Sequence, residues 1–400
     1  MMEPKIRLKG FSGEWETSRI GDIASFSKGN GYSKADLCNE GNPIILYGRM
    51  YTKYTTSIKN VDTFAIPKDG SVYSKGGEVI IPASGETPED ISVASSVMQK
   101  GVILGGDLNI LSFNSKVTDP SFMALAITYS KTHNELSGYA QGKTVVHLHN
   151  GNIANGHVSY PEIEEQKHIV RYVQSLDSQI SATSSRLESL KKVKTASLQS
   201  MFPQEGEPVP RIRFKGFEGE WKKVTFGQLG SIAMCKRIFK EQTMEKGDVP
   251  FFKIGTFGME PDAYISKELY EEYKSKFSFP QKGDILISAA GTIGRTVQYN
   301  GKDAYFQDSN IVWLKHGNEI DNTFLKYTYS IVKWNGLEGA TIKRLYNNII
   351  LETEFLLPTI EEQQKIADYF SNLDKQITLQ AQRVEKLKQI KAACLDLMFV

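Results

Sequence analysis

The chain repeats itself, and this constrains its fold more than any other feature. Residues 4–15 read PKIRLKGFSGEW and residues 210–221 read PRIRFKGFEGEW, identical at nine of twelve positions. A second pair is longer, with PEIEEQKHIVRYVQSLDSQI beginning at Pro161 and PTIEEQQKIADYFSNLDKQI at Pro358. Followed through to Met201-Phe202 and Met398-Phe399, it keeps 20 of 42 positions. Two such pairs in the same order mean a duplicated unit. Between these landmarks the halves diverge, with a few traces left. Lys75-Gly76-Gly77-Glu78 before Val79, Ile80 and Ile81 answers Lys282-Gly283-Asp284 before Ile285, Leu286 and Ile287, each running into a small-residue turn at Gly85 or Gly291. Asp107-Leu108-Asn109-Ile110 is matched to Asp308-Ser309-Asn310-Ile311. The expected organisation is a variable module over 1–160, a tail over 161–202, a second module over 203–357 and a second tail over 358–400.

The tails carry a helical signature. Ile169, Tyr172, Leu176, Ile180, Leu187 and Leu190 in one copy, and Ile366, Tyr369, Leu373, Ile377, Val384, Leu387 and Cys394 in the other, draw one narrow apolar stripe in steps of mostly three and four. Proline at the entrance suits a helix start, and the following Glu-Glu complements the positive end of the helix dipole. About 38 residues would rise roughly 57 Å at about 1.5 Å each. Such a helix cannot bury its stripe alone, so the two copies are expected to pair antiparallel as a coiled coil.

The modules look mixed α and β. Short β-rich runs at 78–82, 107–113 and 311–314 are bounded by turn residues, and helical patches fall at 121–133 and 322–334. The predicted fold class is α+β, with two mixed α/β modules in pseudo-twofold tandem repeat, separated by the two long helices.

Composition excludes several classes. The 48 Lys and Arg against 46 Asp and Glu leave a net charge of +2, so this is no histone-like polycation. The first module holds 15 basic and 15 acidic side chains and the second 21 and 20, so only charge segregated onto one face could serve phosphate contacts. Cys38, Cys235 and Cys394 are too dispersed for a zinc framework or a disulfide scaffold. No apolar run approaches the ~18 residues of a membrane span, and the opening MMEPKIRLKG lacks a signal-peptide core; a cytoplasmic chain without membrane contact is expected.

Catalytic motifs do not emerge. Gly138 to Thr144 resembles a phosphate-binding loop, but three residues separate its glycines where the motif needs four, and the β-like 145–149 follows instead of a helix. Asp119-Pro120-Ser121-Phe122 lacks the second proline of a methyltransferase motif and reads as a helix start. His147 and His149 share a face if extended, without a third ligand for a metal.

Two divergent modules alternating with two similar helices, each opening Pro-x-Ile-Glu-Glu-Gln, resemble the specificity subunit of a Type I restriction-modification system. The most specific marks are Pro161 to Gln166 with Leu176-Asp177, Pro358 to Gln363 with Leu373-Asp374, and the Gly-Phe-x-Gly-Glu-Trp segments at 10–15 and 216–221. Gly142-Lys143-Thr144 through His147-Leu148 also looks like that family, whereas the second half departs there, with Gly339-Ala340-Thr341 and then Arg344-Leu345. The resemblance implies two target recognition domains, each reading one half of a split, asymmetric site in double-stranded DNA. It implies helices that set the spacer and dock two methyltransferase subunits, and a chain that is not itself an enzyme. S-adenosylmethionine is then expected on the methyltransferase subunits, and ATP and magnesium on restriction/motor subunits, with no cofactor on this chain.

Base edges and phosphates call for Arg, Lys and polar side chains on exposed loops. Expected DNA-contact residues are Lys143, Thr144 and His147 in the first module and Thr292, Arg295, Lys343 and Arg344 in the second. Glu164, Glu165 and Gln166, with Glu361, Glu362 and Gln363, are expected at the helix starts with a partner-docking role. The competing expectation is a non-catalytic coiled-coil scaffold that binds protein partners.

Overall fold

The computed structural model describes residues 3–142, 144–334 and 344–400. Two long helices, Ile163–Met201 and Ile360–Met398, each of 39 residues, fall at the predicted places. The chain divides into two compact units, Met1–Ser184 with Gln382–Val400, and Ser185–Ala381. These units cut across the linear order, because each takes one module, the start of the long helix that follows it and the end of the other long helix.

In the first unit a five-stranded sheet runs in the order Ala24–Lys28, Leu108–Phe113, Glu78–Pro82, Ser95–Val97, Ser57–Ile58. Its neighbours are antiparallel except for the last pair. Glu78–Pro82 is buried at every position, as its apolar run demands. The Glu78 carboxylate accepts from the backbone N–H groups of Lys75 (2.6 Å) and Gly76 (3.0 Å), which offsets the cost of burying it. A smaller four-stranded sheet, Ile103–Leu104, Asn42–Ile45, Phe64–Ala65, Leu37–Cys38, is built from strands that interleave with those of the larger sheet along the chain. Helix Pro120–Tyr129 starts where Asp119 accepts from the N–H groups of Ser121 and Phe122, with proline in the first position. The predicted helix over 121–133 breaks at Ser130, whose hydroxyl accepts from the Thr132 N–H and opens a second helix, Lys131–Tyr139.

The second unit repeats the plan more sparsely. Its main sheet is Gly230–Ala233, Ile311–His316, Ile285–Ser288, Thr296–Gln298, antiparallel throughout. A three-stranded sheet joins Tyr264–Ile265, Val249–Phe252 and Tyr305–Phe306. Helix Asn322–Ile331 is capped by Asp321, whose carboxylate accepts from the Phe324 N–H. The sheet register corrects one match made from sequence. Val79 lies opposite Leu111, and the neighbouring pair Leu286 and Trp313 sets Ile285 against Leu314. The Ala83 N–H then donates to the Asp107 carbonyl where the Ala289 N–H donates to that of Asn310. Asp107 therefore corresponds to Asn310, two residues beyond the Asp308 that likeness of letters suggested.

Within each unit the two half-helices run antiparallel. In the first, Lys391 pairs with Asp177 at 2.5 Å and the Cys394 sulfur lies 3.7 Å from the Tyr172 hydroxyl. In the second, Lys194 pairs with Asp374 at 2.5 Å and Ser197 lies 2.9 Å from the Tyr369 hydroxyl. The helix ends close the cores. Trp15, Phe122 and Phe399 form an aromatic cluster in one unit, and Trp221, Phe324 and Phe202 form its counterpart in the other. The entering segments dock alike, with the Ile6 N–H donating to the Leu397 carbonyl (3.0 Å) and the Ile212 N–H to that of Ser200 (2.9 Å).

Candidate nucleic-acid interface

The two repeated motifs meet in space. Arg7, from the first, grips the carboxylate of Glu165, from the second, through Nε (2.8 Å) and Nη2 (2.6 Å). Arg213 grips Glu362 in the same way at 2.7 and 2.8 Å. Each guanidinium also donates to two carbonyls of the glycine-rich turn, those of Ser12 and Gly13 or of Glu218 and Gly219. That turn curls around the arginine with Gly13 at φ 91° and Gly219 at φ 79°, a backbone that side chains rarely tolerate. Both carboxylates are buried, and their hydrogen bonds raise the pKa of the arginines further.

The adjacent glutamines clamp backbone. The Gln166 carbonyl accepts from the Asp119 N–H at 2.8 Å, while its amide donates to the carbonyls of Val117 (3.0 Å) and Pro161 (2.8 Å). Gln363 does the same with the Asp321 N–H, Glu319 and Pro358 at 2.8, 3.1 and 3.0 Å. The prolines stand just outside the helices, which begin at Ile163 and Ile360, and supply a carbonyl to the clamp.

This corrects the docking expectation for four residues. Glu165, Gln166, Glu362 and Gln363 are fully buried and present no surface to a partner; they fasten module to helix. Glu164 and Glu361 are exposed, with Glu164 paired to Lys167 at 2.7 Å.

A second pair of matched places lies at one end of each main sheet. In the first module His147 is an exposed member of the strand Val146–His147, antiparallel to Ser84–Gly85, and its Nδ1 lies 3.1 Å from the Ser84 hydroxyl. Its ring lies parallel to that of His149, with centroids 6.3 Å apart. Thr144 is exposed nearby in sequence. The Tyr51 hydroxyl donates to the Ser84 carbonyl at 2.7 Å. Its phenol is pushed well above the ordinary range by burial and by the charges of Asp90, Asp107 and Glu86.

In the second module Arg344 bridges Ala290 as His147 bridges Ser84. The next residues anchor alike, with the Leu148 N–H donating to Ala83 (3.1 Å) and the Leu345 N–H to Ala289 (2.8 Å). His147 and Arg344 are thus equivalent. Arg344 Nη2 donates to the Ser309 carbonyl at 3.0 Å, and its guanidinium lies 5.8 Å from the ring of Tyr346, itself 59% exposed. Arg295 is exposed and donates through Nη1 to the Phe257 carbonyl at 3.0 Å, with its N–H on the Ser288 hydroxyl. Thr292 is exposed, and its carbonyl accepts from that same hydroxyl. Arg237 reaches this end of the sheet and pairs with Asp308 at 2.9 Å.

The structure therefore brings Thr292, Arg295 and Arg344 into one cluster in the second module, and sets His147 on the matching strand of the first. Lys143 and Lys343 lie outside the described residues. Sequence reading missed Tyr51, Arg237 and Tyr346; the first two lie in segments where the two halves share no recognisable residue pattern, and Tyr346 could have been flagged by its nearness to Arg344. An arginine fork suits guanine edges or phosphate oxygens, and histidine, threonine and tyrosine can donate or accept at base edges. Among the described residues no cluster of metal-ligand type occurs and no helix is long and apolar enough to cross a membrane.

The architecture is that of a duplicated recognition scaffold, one set of module-to-helix fastenings carrying two differently dressed turn clusters. The family description "Type I restriction modification DNA specificity domain" matches residues 12–192 and again 218–389, and the chain belongs to that family. Its role is DNA specificity within a restriction-modification system, a recognition function and not a catalytic one. A putative type I restriction enzyme specificity subunit, S.HindORF215P of Haemophilus influenzae, is 52% identical over 161 residues, a match covering 39% of this chain and 42% of that protein. The StySPI specificity subunit of Salmonella potsdam is 22% identical over 94% of this chain and 87% of its own length. The MjaVIII specificity subunit of Methanocaldococcus jannaschii is 21% identical over 96% and 92%. The fold is shared with the crystal structure of a type I S subunit from M. genitalium, at a TM-score of 0.64 and 16% identity over 100% of this chain and 99% of that one.

Proposed function

We propose that this chain reads DNA for a type I restriction-modification complex, with each module, 1–160 and 203–357, recognising one half of a bipartite, asymmetric target. The observation that carries this reading is the equivalence of His147 and Arg344. The same backbone bridge displays different chemistry in the two modules, as two half-sites of different sequence require. Thr144, Thr292 and Arg295 join them as contact residues, and Lys143 and Lys343 are assigned to the same role from sequence. The long helices set the interval between half-sites. With exposed Glu164 and Glu361 near their starts, they dock two methyltransferase subunits, which carry S-adenosylmethionine. Restriction/motor subunits using ATP and magnesium complete the assembly, in the cytoplasm.

The test is to co-express the chain with its methyltransferase partner and map methylated bases across the host genome by single-molecule sequencing. A split, asymmetric motif that vanishes when the chain is omitted is the expected result. A stable complex that neither binds DNA nor directs methylation would overturn the reading in favour of a protein-binding scaffold.

A further inference from the structure

Resting on the reading of both modules as DNA-recognition modules, we propose that they divide the work unequally, with the second supplying most of the electrostatic grip on the duplex through Arg237, Arg295 and Arg344.

The sheets allow the two modules to be compared position by position. Ala24 lies opposite Phe113 where Gly230 lies opposite His316, and each strand leads to a short 3-10 turn, Lys34–Asp36 or Lys240–Gln242. Equal spacing between these landmarks sets Gly31 where the second module has Arg237. After the shared turn glycine the segments part. Gly85 continues Glu86-Thr87-Pro88-Glu89-Asp90 into the short helix Pro88–Ile91, whereas Gly291 continues Thr292-Ile293-Gly294-Arg295 into the strand Thr296–Gln298. Three carboxylates thus occupy the stretch that in the second module carries one arginine. The remaining pair is His147 against Arg344.

Among the described residues at this end of the sheet, the first module offers Lys28 and His147, with Glu86, Glu89, Asp90 and Asp107 on the adjoining segments. Among the described residues the second offers three arginines and Asp308, which is already paired with Arg237. The arginines are also held in place. Arg344 is tethered to the Ser309 carbonyl, Arg295 to that of Phe257 and Arg237 to the Asp308 carboxylate. Fixed cations displace counterions from a duplex with little further ordering cost, while carboxylates in the corresponding place keep phosphates at a distance and leave acceptors for base edges.

The experiment measures binding of the full chain, purified with its methyltransferase subunit, to a fluorescent mixed-sequence duplex across a potassium chloride series. Each lost phosphate contact removes about 0.9 from the slope of log affinity against log salt. The variant R237Q/R295Q/R344Q is expected to lose roughly 2–3 from that slope, and its all-lysine counterpart to keep it. The first-module variant K28Q/H147Q is expected to lose about 1 or less. Thermal melting identifies any variant that fails to fold, and R295Q alone, on an exposed side chain, then supplies the second reading, a loss of about 0.9. Equal losses from the two modules, or a larger loss from the first, would overturn the division of work. If the parent complex does not bind the duplex at all, the DNA-recognition reading fails with it.

Discussion

The fastenings between module and helix are alike in the two units, and the turn clusters are not. Arg7 with Glu165 and Arg213 with Glu362 repeat each other to within about 0.2 Å in both fork distances, and the glutamine clamps match to about 0.2 Å at every bond. At the ends of the main sheets, a histidine among carboxylates answers an arginine among arginines. The lesson is mechanical. On the proposed reading, two half-site readers must be held alike on their helices, which the matched fastenings provide, while the displayed side chains are free to differ because they rest on backbone bridges.

The largest effect should come from breaking a fastening. Arg213→Ala leaves the buried Glu362 carboxylate unpaired and is expected to cost about 3–5 kcal/mol in chemical denaturation. The double variant Arg213→Met with Glu362→Leu should recover much of that loss. Arg7→Ala should cost a similar amount, and a loss below about 1 kcal/mol in either unit would show that the pair is not a fastening.

Next is the clamp. Gln363→Ala strips partners from the Asp321 N–H and from two carbonyls, with an expected cost of about 1–3 kcal/mol, and Gln166→Ala should match it. A difference between the two larger than about 1 kcal/mol would break the equivalence of the units.

A smaller effect separates the units by pH. Burial works to raise the Asp374 pKa, but hydrogen bonds from Lys194, Tyr327 and Lys326 together outweigh it and leave it below the ordinary carboxylate range. Its contribution to stability is therefore complete above about pH 4, the unfolded value, and is lost as pH falls through the depressed folded value. Asp177 has Lys391, but Ala124 and Leu125 stand on its module where Lys326 and Tyr327 stand beside Asp374. Asp374→Asn should therefore remove more of the acid-dependent part of stability than Asp177→Asn, measured by urea melts across pH 3–6.

The smallest stability effect belongs to the displayed residues. His147→Ala and Thr292→Ala should stay within about 0.5 kcal/mol of the parent, yet relax the methylated motif at one half-site only. A stability loss of several kcal/mol would return these residues to a structural role.

Much of the frame could be read from sequence. The long helices announced themselves by their stripe, and the strand at 78–82 by its unbroken apolar run between turn residues. The meaning of the repeated motifs was not legible, because Arg7 and Glu165 stand 158 positions apart and a glutamate in a first helical turn reads as solvent-exposed by default. Burial of that carboxylate follows only once the glycine-rich turn folds over it. The turn clusters were half legible: His147 and Arg344 lie beside shared landmarks, but Tyr51 and Arg237 reach the same place from stretches with no local signal. The slip between Asp308 and Asn310 has a similar origin, since identity of letters in a divergent segment is weaker evidence of register than the hydrogen bonds of the sheet.

The most direct test of the central claim is to replace residues 1–160 with the corresponding module of another member of the family, keep the rest of the chain, and sequence the methylome of cells carrying the complex. Independent readers on matched fastenings predict that one half-site changes while the other half-site and the spacer are retained. A change in both half-sites would contradict the account.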